Sequence, residues 1–142
     1  MKIQVKKIHP DAKIPNFALK GDAGMDLFSI CDHVLKPGER FSCPTGISMK
    51  IPKNHAGLIW DKSGVSHRLG IKTLGGVIDS NYTGEWLVGL INLGSEDYVI
   101  EKGHKIAQVI IQKIEYPEIE EVAEIMEETE RGSAGFGSTG KK

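Results

Sequence analysis

The chain has no hydrophobic run long enough to cross a membrane. Its longest uncharged stretch, Trp86 to Ser95, is ten residues, where a spanning helix needs about 20. Nor does it have a leader-like start: charges flank the apolar residues of Met1-Lys2-Ile3-Gln4-Val5-Lys6-Lys7, so no secretory signal is expected and the cytoplasm is the expected compartment. Cysteine is scarce. Cys31 and Cys43 cannot build a disulfide framework and suit a reducing compartment as buried or half-buried thiols. The histidines at 9, 33, 55, 67 and 104 form no CxxC, HxH or HExxH pattern, which leaves a protein-built zinc site without support and implies that any metal arrives with a substrate.

What is present is an ordinary globular balance, 39% hydrophobic and 26% charged over 142 residues, enough for one domain with tails. The net charge of −1 hides an asymmetry. Residues 115–130 hold eight glutamates and no Lys or Arg, so the rest carries 18 basic against 11 acidic side chains. A mildly basic body suits an anionic small ligand. Without a basic run or interleaved aromatics, binding to a nucleic-acid polymer is not expected.

Glycine is abundant, 17 of 142, and short apolar runs alternate with Gly, Pro, Asn and Asp, the pattern of an all-β domain. Strands are expected at 3–8, 25–28, 46–51, 58–60, 73–78, 86–92 and 105–113, with turns at Lys36-Pro37-Gly38-Glu39, Pro52-Lys53-Asn54-His55, Asn92-Leu93-Gly94-Ser95 and Glu101-Lys102-Gly103. Seven or more short strands favour a sandwich, jelly roll or small barrel. Residues 118–130 read two ways: Ile119, Val122 and Met126 fit one helical face, while Ile119, Ala123 and Ile125 fit a half-buried strand. After Glu130 the chain turns rich in Gly and Ser, as expected of a mobile tail.

Five segments carry chemistry. Ala23-Gly24-Met25-Asp26-Leu27 places one acid among apolar neighbours, so Asp26 should be paired or lie near a cation. Asp61-Lys62-Ser63-Gly64 follows an apolar run and should sit at a strand end, with the Ser63 hydroxyl and Gly64 N–H open to an oxyanion. Gly75-Gly76 through Glu85 reads as a hairpin presenting Asp79 near Tyr82. Gln108 sits in an apolar strand and its amide needs partners. The tail matches G-x-G-x-x-G at 135–140 and G-x-x-x-x-G-K at 135–141. No strand-to-helix unit surrounds it, and Lys142 stands where a magnesium-binding Ser or Thr belongs. What remains is a backbone able to wrap an anion, with Arg131, Gly137, Ser138 and Thr139 as donors and Phe136 as a stacking face.

In order and spacing from Ala23 to Gly140, these segments resemble the five motifs of the trimeric dUTPases. The resemblance implies a jelly-roll-like β domain over 1–126, an arm over 127–142 closing an active site, and a homotrimer with shared sites. It also implies hydrolysis of dUTP to dUMP and pyrophosphate by water attack at the α-phosphorus with Mg²⁺. In that reading Asp79 activates the water and Gln108 assists, and Asp26 supports Mg²⁺ through water. Lys62, Ser63 and Gly64 hold phosphates, Gly75 and Gly76 read the base, and Tyr82 lies under the sugar. Arg131, Phe136, Gly137, Ser138 and Thr139 close over the nucleotide. Two positions depart from the family pattern: Lys62 and Lys105 stand where it usually has Arg, keeping the charge but losing the planar two-pronged donor. The alternatives are a dCTP deaminase, which needs a further carboxylate that the strand Trp86-Leu87-Val88-Gly89-Leu90-Ile91-Asn92 lacks, and a non-catalytic nucleotide-binding jelly-roll protein.

Overall fold

The computed structural model describes residues 1–125. Alternation of apolar and polar side chains builds two facing sheets, and two short antiparallel ribbons complete the domain. One sheet has the order β2 (Met25–Phe28), β11 (Lys105–Lys113), β6 (His55–Trp60), β8 (Val77–Ile78). The other is β4 (Arg40–Pro44), β9 (Leu87–Asn92), β7 (Ile71–Leu74). The ribbons pair β1 (Gln4–Lys7) with β5 (Ile47–Lys50), and β3 (His33–Leu35) with β10 (Tyr98–Ile100). Every pairing is antiparallel. Val88 and Leu90 of β9 face Ile59, Ala107 and Val109 across one core, with Trp86 fully buried among them. A Cβ at Gly57 would lie 2.6 Å from the Trp86 ring, so glycine in β6 makes room for the indole. This jelly-roll-like all-β architecture is the one expected from the sequence.

The departures have physical causes. The run expected as one strand over 73–78 is two, because Gly75 and Gly76 both adopt positive φ, +65° and +102°, which only glycine does at little cost. The chain there leaves the β7 sheet and enters the other as β8, with Ile59 N–H donating to Gly76 O at 2.8 Å. The segment is therefore a sheet-to-sheet crossover rather than the expected hairpin. The four-residue turn after it, closed by Tyr82 N–H to Asp79 O at 3.1 Å, does bring Asp79 and Tyr82 together.

A seven-residue helix, α1 (Ser63–Leu69), was not expected; it buries none of its residues, so it leaves no apolar stripe to read. Its signals are at its end: His67 and Arg68 in the last turn and Gly70 in a left-handed cap, donating to Ser66 O at 3.0 Å. The helix suggested by the spacing over 118–130 does not form in the described part: 118–125 is neither helix nor strand, and Ile119 and Ile125 are almost fully exposed. A glutamate-rich segment with nothing to pack against among the described residues of its own chain gains too little to offset ordering its backbone as a helix or strand.

Candidate active site

The site begins with a carboxylate that burial makes costly. Asp26 on β2 is 2% exposed and lies between two lysines: Lys62 Nζ bonds Oδ1, and Lys105 Nζ lies 2.7 Å from Oδ2. Lys105 reaches that side through an irregularity in β11. Residues 105 and 108 would face opposite sides of a regular strand, but the register shifts between Lys105 and Ala107, and such a bulge re-aims a side chain. Buried Oδ2 has the Lys105 ammonium as its ion-pair partner.

Burial works to raise the Asp26 pKa, but contacts with Lys105 and Lys62 outweigh it and hold the carboxyl below its ordinary value. Asp61 behaves likewise: against burial, Lys72 Nζ (2.8 Å), Thr73 N–H (2.7 Å) and Thr73 Oγ1 (2.7 Å) keep it ionised. Both carboxyls have folded pKa values below the ordinary 3.8. Their stabilisation is complete above that value and is lost as pH falls through the lower folded values. Acid titration followed by circular dichroism should show stability flat from neutrality to about pH 5, then declining below about pH 4. A decline beginning near pH 6 would assign acid sensitivity to other groups.

Gln108, opposite both Asp26 and Trp60 in the sheet, donates through Nε2 to Asp61 O at 2.8 Å. Its partner was not legible in the sequence; Asp61 is the residue sequence reasoning missed, tying β7, the Gln108 amide and the start of α1 together. Gln108 is seated by Gly24, where a Cβ would stand 2.5 Å from Oε1. Gly24→Ala should push the Gln108 amide aside and break its bond to Asp61 O, with a small further adjustment at the Gln108 Cβ, which would lie 3.1 Å from the new methyl. Lower kcat by about 10–100-fold is expected, with Tm reduced by less than about 5 °C. Comparable activity in this variant would remove Gln108 from the chemistry.

Lys62 stands in extended conformation immediately before α1 and has no side-chain capping bond. Val65 and Ser66 N–H both donate to Lys62 O, while the N–H groups of Ser63 and Gly64 have no partner among the described residues. With Lys62, Lys72, Lys105 and Arg68 against Asp26 and Asp61, this corner carries a net positive charge.

Asp79 and Tyr82 are elsewhere. Ile78 pairs with Gly57 and Val77 with Leu58, which puts Asp79 level with Ala56, four residues along β6 from the Trp60 that faces Gln108. At roughly 3.3 Å per residue the two groups are separated by about 13 Å along the strand alone. Tyr82 and Asp79 share a depression with Val77, Ile78, Glu85 and Leu87. Gly75 and Gly76 line a second one, with Trp60, Lys72 and Thr73, that meets the first at Val77. The Tyr82 hydroxyl donates to Glu85 O at 2.8 Å, and its ring packs so closely over Gly84 that a Cβ there would meet the hydroxyl at 2.5 Å. The structure thus brings Asp26, Lys62, Ser63, Gly64 and Gln108 into one corner and Asp79 and Tyr82 into another, with Gly75 and Gly76 in the depression between them, beside Trp60, Lys72 and Thr73. Arg131, Phe136, Gly137, Ser138 and Thr139 lie outside the described residues.

The fold is thus a jelly-roll-like β domain with a cationic, donor-rich corner at a strand end and a carboxylate-bearing turn at a sheet crossover. The dUTPase family model matches residues 10–140. Deoxyuridine 5'-triphosphate nucleotidohydrolases are 46% identical in Clostridium kluyveri and 44% identical in swinepox virus, each covering 99% of both chains. Among solved structures, the dUTPase of Staphylococcus bacteriophage 80alpha with dUpNHpp matches with a TM-score of 0.89 at 31% identity, covering 98% of both chains. A mutant dUTPase from phage phi11 of S. aureus, which coordinates a structural Mg(II) ion, matches with a TM-score of 0.82 at 28% identity, covering 87% of this chain and 98% of that one. The chain belongs to the dUTPase family.

Proposed function

We propose that the protein hydrolyses dUTP to dUMP and pyrophosphate, limiting dUTP and supplying dUMP, in a homotrimer whose sites are shared between subunits. The observation that carries this reading is the pairing of family membership along nearly the whole chain with a preformed anion corner at Lys62-Ser63-Gly64. The separation of about 13 Å along the strand between Gln108 and Asp79 supports sharing, since in this reading both act on one water and yet they lie apart within a chain. A second support is the outer face of the β2-β11-β6-β8 sheet. Val77, 69% exposed, and Trp60, 52% exposed, flank Leu58 and Ile110 on one side of adjacent strands, an apolar surface that calls for cover.

The phosphates sit against Ser63 and Gly64 N–H and the Lys62 ammonium, which spread charge as it develops. Asp79 accepts the proton of the water that attacks the α-phosphorus in line, and Gln108 orders that water. At the crossover, fixed backbone groups of Gly75 and Gly76 meet the uracil O4 acceptor and N3–H donor; cytosine reverses both and would leave them unpaired. The rigid Tyr82 ring closes the space under the sugar against a 2'-hydroxyl. Residues 127–142 form the arm that covers the nucleotide, with Arg131, Ser138 and Thr139 toward the γ-phosphate and Phe136 over the base.

Among the described residues no group of three or more His, Cys, Asp or Glu could cage a metal, and the one buried carboxylate at the corner is already flanked by two ammonium groups. That set does not fit a resident ion. It fits Mg²⁺ entering as the Mg–dUTP complex, with Asp26 as the carboxylate that would accept from one of the ion's waters. Bound to the triphosphate, the ion neutralises charge and polarises the phosphoryl oxygens.

Incubation with Mg²⁺ and each of dUTP, UTP, dCTP and dTTP, with pyrophosphate and ammonia assayed, tests the reading. Pyrophosphate from dUTP alone is expected. Ammonia from dCTP would make the protein a deaminase, and nucleotide binding without either product a non-catalytic binder.

A further inference from the structure

Lys62 and Lys105, the two lysines standing where the family usually has arginine, are both engaged with Asp26. A guanidinium nevertheless stands at the phosphate corner. Arg68, one turn further along α1, folds back toward the helix start. Its Nε donates to Gly64 O at 3.2 Å, and one terminal nitrogen, Nη2, lies 3.0 Å from where a Gly64 Cβ would be. Arg68 is in no ion pair among the described residues, whereas Lys62, Lys72 and Lys105 each are.

We propose that Arg68 is a substrate-binding residue of the same active site, supplying to a β- or γ-phosphate oxygen held at Gly64 the guanidinium contact that Lys62 does not. The proposal rests on the reading of the site as a dUTP site. Backbone geometry places a Cβ about 2.5 Å from its own amide nitrogen. Arg68 Nη2 is therefore no more than roughly 5.5 Å from Gly64 N, and one oxygen at about 2.9 Å from each can bridge them. Gly64 is what permits this. A side chain there would crowd the guanidinium and push its Nη2 outward, so glycine at 64 has a second role beyond exposing its amide. Because Nε is anchored to Gly64 O, the planar fork is already oriented and less side-chain freedom is lost on binding than for a free lysine.

The test compares wild type, Arg68→Ala and Arg68→Lys by calorimetric binding of dUpNHpp and of dUMP, and by pyrophosphate release from dUTP. Arg68→Ala is expected to weaken dUpNHpp by about tenfold or more, the scale of one charge-assisted contact, and to leave dUMP within about twofold. Arg68→Lys should recover part of the loss, and the difference from wild type should shrink at high salt. Equal dUpNHpp affinity in wild type and Arg68→Ala, or an equal loss for dUMP, overturns the proposal. If the wild type releases no pyrophosphate from dUTP, the dUTP reading itself fails; if it does and Arg68→Ala matches it throughout, only Arg68 is withdrawn.

Discussion

Asp79→Asn should reduce hydrolysis of dUTP by about 10³-fold or more while leaving dUpNHpp affinity within about tenfold. The amide keeps the shape of the side chain but cannot take the proton of the attacking water. The turn that holds residue 79 is set by backbone, Tyr82 N–H to Asp79 O, and by the Tyr82 hydroxyl bond to Glu85 O. Neither uses the Asp79 carboxylate, so the substitution should leave the turn intact. The expected signature is a fall in kcat at nearly constant binding, read by rapid-quench turnover beside calorimetry. Turnover at the wild-type rate would mean that another group activates the water.

Deletion of residues 130–142 should leave a folded protein, because among the described residues the last one fully buried in the core is Val109, and should remove nearly all activity if the arm closes the site as proposed, because Arg131, Phe136, Ser138 and Thr139 go with it. The informative experiment mixes two inactive proteins. Asp79→Asn and the truncated chain, unfolded and refolded together, should regain a measurable fraction of wild-type activity if base and arm of one site come from different subunits. Mixed trimers would then contain sites with an intact Asp79 from one chain and an intact arm from another. Native mass spectrometry establishes whether mixed species formed. Mixed trimers without activity would place base and arm of each site on the same chain.

Much of the fold was legible because strands leave a two-residue signature and their ends are marked by Gly, Pro and Asn. The turn at Lys36-Pro37-Gly38-Glu39, for instance, is closed by Glu39 N–H to Lys36 O at 2.9 Å. Short edge elements were not. β3 and β10 have three residues each, too few for alternation to stand out, and α1 buries nothing that periodicity could report. Of the site, the need of Asp26 for cations and of Gln108 for partners followed from burial alone, and both are met. Which groups would meet them did not follow. The Lys105 contact depends on a bulge, and the Gln108 contact uses a backbone carbonyl of Asp61, which has no sequence signature. At Gly75-Gly76 the sequence signals a hairpin and the structure forms a crossover, because two glycines between apolar runs mark a reversal of direction equally well. Only the pairing partners, β9 for β7 and β6 for β8, distinguish the two.

That crossover also works as a short lever. Two residues separate a strand anchored in one sheet from a strand anchored in the other, and Asp79 follows directly after the second. The spacing of the sheets is set by the side chains between them, with Trp86 the largest that is fully buried. A change in that spacing has no long loop in which to dissipate before it reaches the carboxylate. With Asp79 as the base proposed above, the interior packing of this domain would set its catalytic alignment, and a change made in the core to suit heat or cold would be felt at the site.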